Sequence, residues 1–200
     1  MTAELLELEK DAQDLLFRAA RTANAFTDEP VGDDVVEAIY DLVKWAPTSM
    51  NAQPLRVLLI RSEEARQRLL GHLAEGNRAK TASAPLVAVL TADRNFHDQL
   101  PSVFPHFLGA RDLFTGDDEA RHAAARFNAA LQIGYFILGV RAAGLAAGPM
   151  TGLDTAGLER EFFPAGDREV LAVVNIGRPA ESAFHPRNPR LDYSEVVTTV

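Results

Sequence analysis

The sequence predicts one domain of packed helix and strand layers, of the α/β or α+β kind. Three short aliphatic and β-branched runs, at 56–60, 86–93 ("LVAVLTAD") and 168–177 ("REVLAVVNIG"), have the length and flanking signals of strands. Stretches of helical periodicity separate them, the alternation expected of a layered fold. Composition agrees: 47% hydrophobic and 24% charged residues over 200 positions suit a single packed globule.

In chain order, residues 3–20 put Leu5, Leu8, Ala12, Leu15, Leu16 and Ala19 near one stripe, as in an amphipathic helix. Thr, Asn and Pro in "RTANAFTDEPV" (21–31) break that pattern. Asp33 then has the chemistry of an N-cap for a helix carrying Val35, Val36, Ile39, Tyr40, Leu42 and Val43, which Pro47 stops. After strand 56–60, Ser62 caps a helix over 63–75. Pro85 opens the run 86–93, continuous enough for a strand buried on both faces. Residues 93–116 are irregular and rich in aromatics and prolines; so long a segment is either a lid over substrate or packing beneath a loop.

The longest helical pattern, 117–143, sets Ala124, Phe127, Leu131, Tyr135 and Leu138 at i, i+3/i+4 spacing and fills its other sides with small residues. A helix apolar nearly all round is a central one. Asp117, Asp118 and Glu119 favour its N-terminus, and Gly144 suits the turn at its C-terminus. A short helix at 159–162, the strand 168–177 and a proline-punctuated tail from 178 complete the domain, 1–200, without repeat or linker.

The charge, 20 − 28 = −8, repels phosphate backbones and argues against nucleic acid. Without cysteine there is no disulfide, thiolate metal site or cysteine nucleophile. Acidic residues among the first ten do not suit a secretory signal. The longest strictly apolar run, 135–140, is far short of the ~20 residues of a membrane span. A cytoplasmic chain without membrane contact is the expectation.

Standard catalytic motifs fail. "GHLAEGNR" (71–78) has Asn77 where a phosphate loop needs lysine, and no hydroxyl follows at the magnesium position. "GVRAAGLAAG" (139–148) ends a helix instead of opening one. His72, His97, His106, His122 and His185 are scattered, so no metal site is expected. No GxSxG elbow occurs.

What remains is a set of loops dense in neutral hydrogen-bonding groups, above all "KWAPTSMNAQPLRV" (44–57), with the turn "GPMTGLD" (148–154) and Arg21, Arg187 and Arg190 near the two ends. Such a pattern suits a bound cofactor that carries the reactivity. Arginines suit its phosphate, and amides suit a polar heterocycle.

"RTANAF…PV", "KWAPTSMNAQP", "GNRAKTASAPLVAVL", "GLAAGPMTGLD", "LAVVNIG" and "PRNPRL" occur in that order. Together they resemble the nitroreductase family of FMN-dependent oxidoreductases over nearly the whole chain. "QLPSVFPHFLGARDLF" (99–114) further resembles the branch that includes malonic semialdehyde reductases. The resemblance implies an α+β fold: a mixed, mostly antiparallel sheet wrapped by helices, in an intertwined homodimer with FMN in two interface clefts.

It also implies site residues. Arg21 and Thr22 contact the FMN phosphate or ribityl chain, and Arg190 closes on the phosphate; Asn24 and Arg187 are counted with them. Pro47, Thr48, Ser49 and Asn51 line the isoalloxazine, from the same chain or its partner. Asn77 contacts the flavin, and Pro149, Met150, Thr151 and Gly152 run past the ring. Asn24 stands where many relatives have a second arginine, and Thr151 where many have an acidic residue.

The implied activity is ping-pong hydride transfer from NADH or NADPH to a small electrophile: malonic semialdehyde, a nitro compound, a quinone or an enone. No catalytic side chain is required. Arg111 is the candidate to meet a substrate carboxylate.

Plainer readings stand beside these. Arg21 suits a helix C-terminus, Ser49 and Asn51 suit turn caps, and Asn77 suits the cap of a helix at 78–83. Met150 suits packing, Trp45 a core or dimer contact, and Arg187 and Arg111 the surface. At the level of function, the alternatives are a flavin-binding sensor or carrier without turnover and a helical interaction domain.

Overall fold

The computed structural model describes residues 6–200. Its centre is a four-stranded sheet of β1 (Leu55–Ile60), β2 (Leu86–Asp93), β3 (Ala146–Met150) and β4 (Arg168–Gly177). The spatial order is β1-β2-β4-β3, and all three pairings are antiparallel. The fold is therefore α+β, with no parallel pair among the described residues.

Helices cover both faces: α1 (Lys10–Gln13), α2 (Asp33–Val43), α3 (Glu63–Gly71), α4 (Glu75–Ala82), α5 (Leu100–Val103), α6 (Asp118–Ala142), α7 (Thr155–Phe162) and α8 (Tyr193–Val196). β2 is buried at every position, as its apolar run requires. Its side chains alternate between two cores. Leu86, Ala88 and Leu90 join Ile39, Phe136 and Val140 of α2 and α6, whereas Val87 and Val89 join Leu69, Leu73 and Leu158 beneath α3 and α7.

β3 is the strand that the sequence reading missed. "AAGPM" is poor in β-formers, and its proline lacks an N–H, which an edge strand tolerates.

The α6 stripe is also corrected. Phe127, Leu131 and Tyr135 are exposed, at 66, 43 and 42%. The buried face lies one step round and carries Ala125, Asn128, Ala129, Gln132, Phe136, Gly139 and Val140. Small residues win that face because α2 comes so close: a Cβ on Gly139 would lie 2.3 Å from Val43 Cγ1. By length and composition α6 could cross a bilayer, which the short apolar runs had not suggested. In the fold it is a core helix lying on the sheet.

Smaller corrections follow from packing. The helix expected over 3–20 shrinks to α1 and one π-helical turn, Asp14–Arg18, with Leu15 half exposed; its positions 3–5 lie outside the described residues. Gly32 is the N-cap of α2, and Asp33, its first residue, pairs with Arg61. That helix ends at Val43, before Pro47. The helix expected over 63–75 breaks after Gly71 because buried Leu73 turns inward and bridges to Leu153. Ser62 caps α3 as expected, its Oγ accepting from Ala65 N–H at 3.2 Å.

Candidate functional site

Two groups of the expected residues line up along β3. Segment 21–24 runs beside that strand: Ala23 N–H donates to Ala147 O at 3.1 Å, and Asn24 N–H donates to Ala183 O in the tail at 2.9 Å. The approach is so close that a Cβ on Gly148 would lie 2.6 Å from Ala23 O. Arg21 is thereby fixed at the surface. Its Nη1 donates to His185 O at 3.1 Å, and the guanidinium lies 5.0 Å from the centre of the Phe184 ring. Thr22 is exposed, and Asn24 Nδ2 makes only a long bond, 3.4 Å, to Thr22 O.

Arg187, which could have been an isolated surface charge, reaches back to this segment and donates through Nη2 to the carbonyls of Arg18 and Ala20. Arg190 stays on its own stretch, donating to Asn188 and Pro189 carbonyls at 3.0 Å. Arg141, at the end of α6, donates to Leu16 O at 2.9 Å. Its pKa is held below the usual value first by burial and then by the charge of Arg187. None of Arg21, Arg141, Arg187 and Arg190 pairs with a carboxylate among the described residues. A cleft of about 170 Å³ opens between Arg21, Arg141, Leu145 and Phe184.

The second group leaves the end of β3. Pro149 stands opposite Val174, and Met150 is buried with its sulfur 3.6 Å from Thr81 Oγ1, a packing role. Thr151 and Gly152 follow at the surface. Gly152 O accepts from Ala74 N–H and from Asn77 Nδ2, each at 3.0 Å. Asn77 lies inside α4, so it caps no helix; its side chain holds the turn 150–154 instead. A Cβ on Gly152 would meet Asn77 Nδ2 at 2.8 Å.

The third group, in loop 44–54, is elsewhere. It leads into β1, at the opposite edge of the sheet from β3, three strand spacings or about 14 Å away. Pro47, Ser49 and Asn51 are exposed and Thr48 is half-buried. Met50, Asn51 and Gln53 have φ of 51, 50 and 44°, a left-handed conformation uncommon outside glycine. Within one chain, then, residues 47–51 do not meet 21–24 and 149–152. Trp45, 78% exposed, belongs to no core of this chain.

Arg111 is already engaged: its Nε and Nη2 donate to Asp98 Oδ1 at 3.0 and 2.9 Å. In the same segment Phe96 is buried and meets Phe114 edge-on at 4.9 Å, the packing alternative, while Phe107 and Leu108 remain exposed. Buried His97 has its pKa lowered, first by desolvation.

Two residues escaped the sequence reading. Lys80, half-buried and without a described carboxylate partner, is three positions after Asn77 on α4 and so shares its face; that spacing was the signal. Arg141 gave none, because a cation in a last helical turn is ordinary.

The description "Nitroreductase family" belongs to the family model that matches residues 17–178. The chain belongs to the nitroreductase family. Relatives of this nitroreductase-family chain agree in sequence and in fold. A Streptomyces coelicolor protein, provisionally named NADH dehydrogenase/NAD(P)H nitroreductase, is 63% identical over 195 residues, covering 98% of this chain and 99% of its own. A provisionally assigned nitroreductase from Bacillus subtilis superposes with a TM-score of 0.85 at 21% identity over the whole of both chains. One from Exiguobacterium sibiricum, solved in complex with FMN, superposes at 0.84 with 17% identity, covering 97% of this chain and 99% of its own. None of these three names specifies malonic semialdehyde.

Proposed function

We propose that two copies of this chain form a homodimer that binds FMN in two shared clefts and oxidises NAD(P)H, passing the hydride to a small electrophile. One observation carries the reading: the polar residues divide into two incomplete sets on opposite edges of one sheet. A two-fold dimer brings the β3-edge set of one copy to the β1-edge set of the other, twice over. Exposed Tyr40, Trp45, Phe127, Leu131 and Tyr135 supply the apolar surface for that contact.

The residues present fit the cofactor. Arg21, Arg187 and Arg141 form a patch in which, among the described residues, no guanidinium pairs with a carboxylate, in a chain of net charge −8; that is the demand of a phosphate monoester. Asn77 and Gly152 stand too close to admit another side chain, so a ring edge passing the 150–154 turn would meet backbone instead of a Cβ. Bound flavin supplies hydride chemistry at N5.

The chain's part is orientation. Arg21 and Arg187 would hold the phosphate, joined by Thr22, with Arg190 close by in the tail. Asn77 and Lys80 would face the ring from α4. Pro149, Met150, Thr151 and Gly152 would pass beside it, and Pro47, Thr48, Ser49 and Asn51 would come from the partner. Pro47 and Pro54 stiffen that loop, so little order has to be gained when the ring docks. Malonic semialdehyde is one acceptor of suitable size; its carboxylate would have to displace Asp98 from Arg111.

Anaerobic titration tests the proposal. Purified protein should show flavin absorbance that bleaches with NADH or NADPH and recovers on adding malonic semialdehyde, a nitroarene, a quinone or an enone. Colourless protein that takes up no FMN refutes the reading. Flavin that neither nicotinamide reduces makes the chain a carrier or sensor.

A further inference from the structure

Asn128 and Gln132 are buried amides on the sheet-facing side of α6, at 4 and 9% exposure among alanines, Phe136 and Val140. Burying carboxamides among apolar groups is costly unless each finds a partner. Each turns its acceptor to a main-chain N–H at one end of the segment 49–55, Asn128 inside loop 44–54 and Gln132 at the first residue of β1. Ser49 N–H donates to Asn128 Oδ1 at 2.8 Å, and Leu55 N–H donates to Gln132 Oε1 at 2.9 Å. The i, i+4 spacing sets the two oxygens one helical turn apart on one face. They grip the loop on either side of its left-handed residues Met50, Asn51 and Gln53. Asn128 cannot turn its amide round without loss, because its Nδ2 donates to Ala124 O at 2.9 Å.

We propose that Asn128 and Gln132 are positioning residues that hold Ser49 and Asn51 in the geometry the flavin ring meets. This rests on the proposed assignment of that loop to the ring. Left-handed backbone at non-glycine residues is disfavoured and persists only where surrounding contacts over-determine it. The other contacts lie inside the loop or beside it: Gln53 N–H donates to Thr48 Oγ1 at 3.2 Å, Arg56 Nη1 donates to Gln53 O at 2.7 Å, and Asn51 Nδ2 donates to Val103 O at 2.8 Å. Asp93 N–H of β2 also holds Pro54 O at 2.8 Å, at one end alone; among the described residues only the α6 amides tie both ends to one rigid element. Without them the loop relaxes toward ordinary backbone angles, and the exposed Ser49 and Asn51 side chains change direction. Two hydrocarbon side chains would serve the core as well as these amides do, so packing alone does not account for them.

The experiment compares the wild-type protein with Asn128→Leu and Gln132→Met, both nearly isosteric, and with Gln132→Glu, which keeps the acceptor. For each, FMN affinity is measured by fluorescence titration, the flavin midpoint potential by equilibrium with a reference dye, and amide exchange over 48–55 in the flavin-free protein. The Leu and Met variants are expected to bind FMN about tenfold more weakly, the effect of one lost hydrogen bond to a buried group. Their midpoint potential should shift, exchange should rise at Ser49 in Asn128→Leu and at Leu55 in Gln132→Met with helical content unchanged, and Gln132→Glu, which still accepts the Leu55 N–H, should keep exchange at Leu55 as in the wild type. Native-like variants with unchanged affinity, potential and exchange overturn the proposal. If Asn128→Leu fails to fold, Gln132→Met decides. If wild-type protein binds no FMN, the flavin assignment falls while the exchange measurement still decides whether the amides hold the loop.

Discussion

Gly148 and Gly152 occupy similar places in sequence but are guarded by different neighbours. A Cβ on Gly148 would press on the Ala23 carbonyl, which is backbone and cannot swing away. Gly148→Ala should therefore push segment 21–24 off β3, costing about 1–3 kcal/mol in urea unfolding and weakening FMN binding through Arg21. At Gly152 the obstacle is the end of the Asn77 side chain, which can rotate. Gly152→Ala should leave stability nearly unchanged while weakening FMN, so the two variants separate in paired denaturation and flavin titrations. His97 gives a pH signature. Its folded pKa lies below the ordinary 6.5 because burial disfavours the charged imidazolium, and the cations Arg121 and Arg111 lower it further against the opposing pull of Asp98. The unfolded chain then binds the proton more tightly, so stability is full above about pH 6.5 and falls as pH drops toward the folded pKa. Melting midpoints between pH 7.5 and 5.5 should fall less steeply in His97→Gln than in wild type. At this scale the sequence was partly legible. The register of motifs singled out Arg21 and Asn77 as candidates, but nothing marked the backbone of Met50, Asn51 and Gln53, since no glycine stands there and the contacts from α6 come from 79 and 77 residues away.

Elements were legible where one force dominated. β2 and β4 showed as apolar runs because burial on both faces favours apolar residues along most of their length, Thr91, Asp93 and Asn175 being the buried polar exceptions. β3 was hidden because closeness to segment 21–24 selects small residues over β-formers. The α6 stripe was misassigned because helical periodicity identifies apolar faces without saying which one meets the sheet. Three strands also share an ionic joint that periodicity cannot show: Asp93 at the end of β2 pairs with Arg56 of β1 at 2.8 Å and with Arg168 of β4 at 2.6 Å. Asp93 is 6% exposed, and its Oδ1 also takes the Asn95 N–H at 2.9 Å. Asp93→Asn removes the carboxylate that both guanidiniums share, leaving Arg168 only Asp167 at 3.1 Å. The expected loss is about 3 kcal/mol, at the lower end of the range for a broken buried pair because both arginines are partly exposed. Equilibrium urea unfolding measures it. Since Arg56 also holds Gln53 O, amide exchange in loop 48–54 should rise in the same variant.

For the whole molecule, the decisive feature is that α6 serves two faces. Its inner side carries Asn128 and Gln132, bonded to the loop at the β1 edge, while its outer side shows Phe127, Leu131 and Tyr135 to solvent in the single chain. A cleft of about 460 Å³ between α2, β1 and α6, lined by Tyr40, Val57 and Phe136, continues that apolar surface. If the flavin cleft is shared, association and cofactor binding are one equilibrium, because FMN that binds only the dimer stabilises the dimer by mass action. Leu131→Glu places a charge at the centre of the outer face without touching either polar set, so its direct effect on the cofactor should be nil. We expect sedimentation to show monomers at concentrations where wild type is dimeric, and FMN occupancy to fall with the dimer fraction. Saturating FMN should in turn pull part of the variant back into dimers. A Leu131→Glu monomer that keeps one FMN per chain would place all the flavin contacts within a single subunit, and the division of the site between two sheet edges would then have no functional meaning.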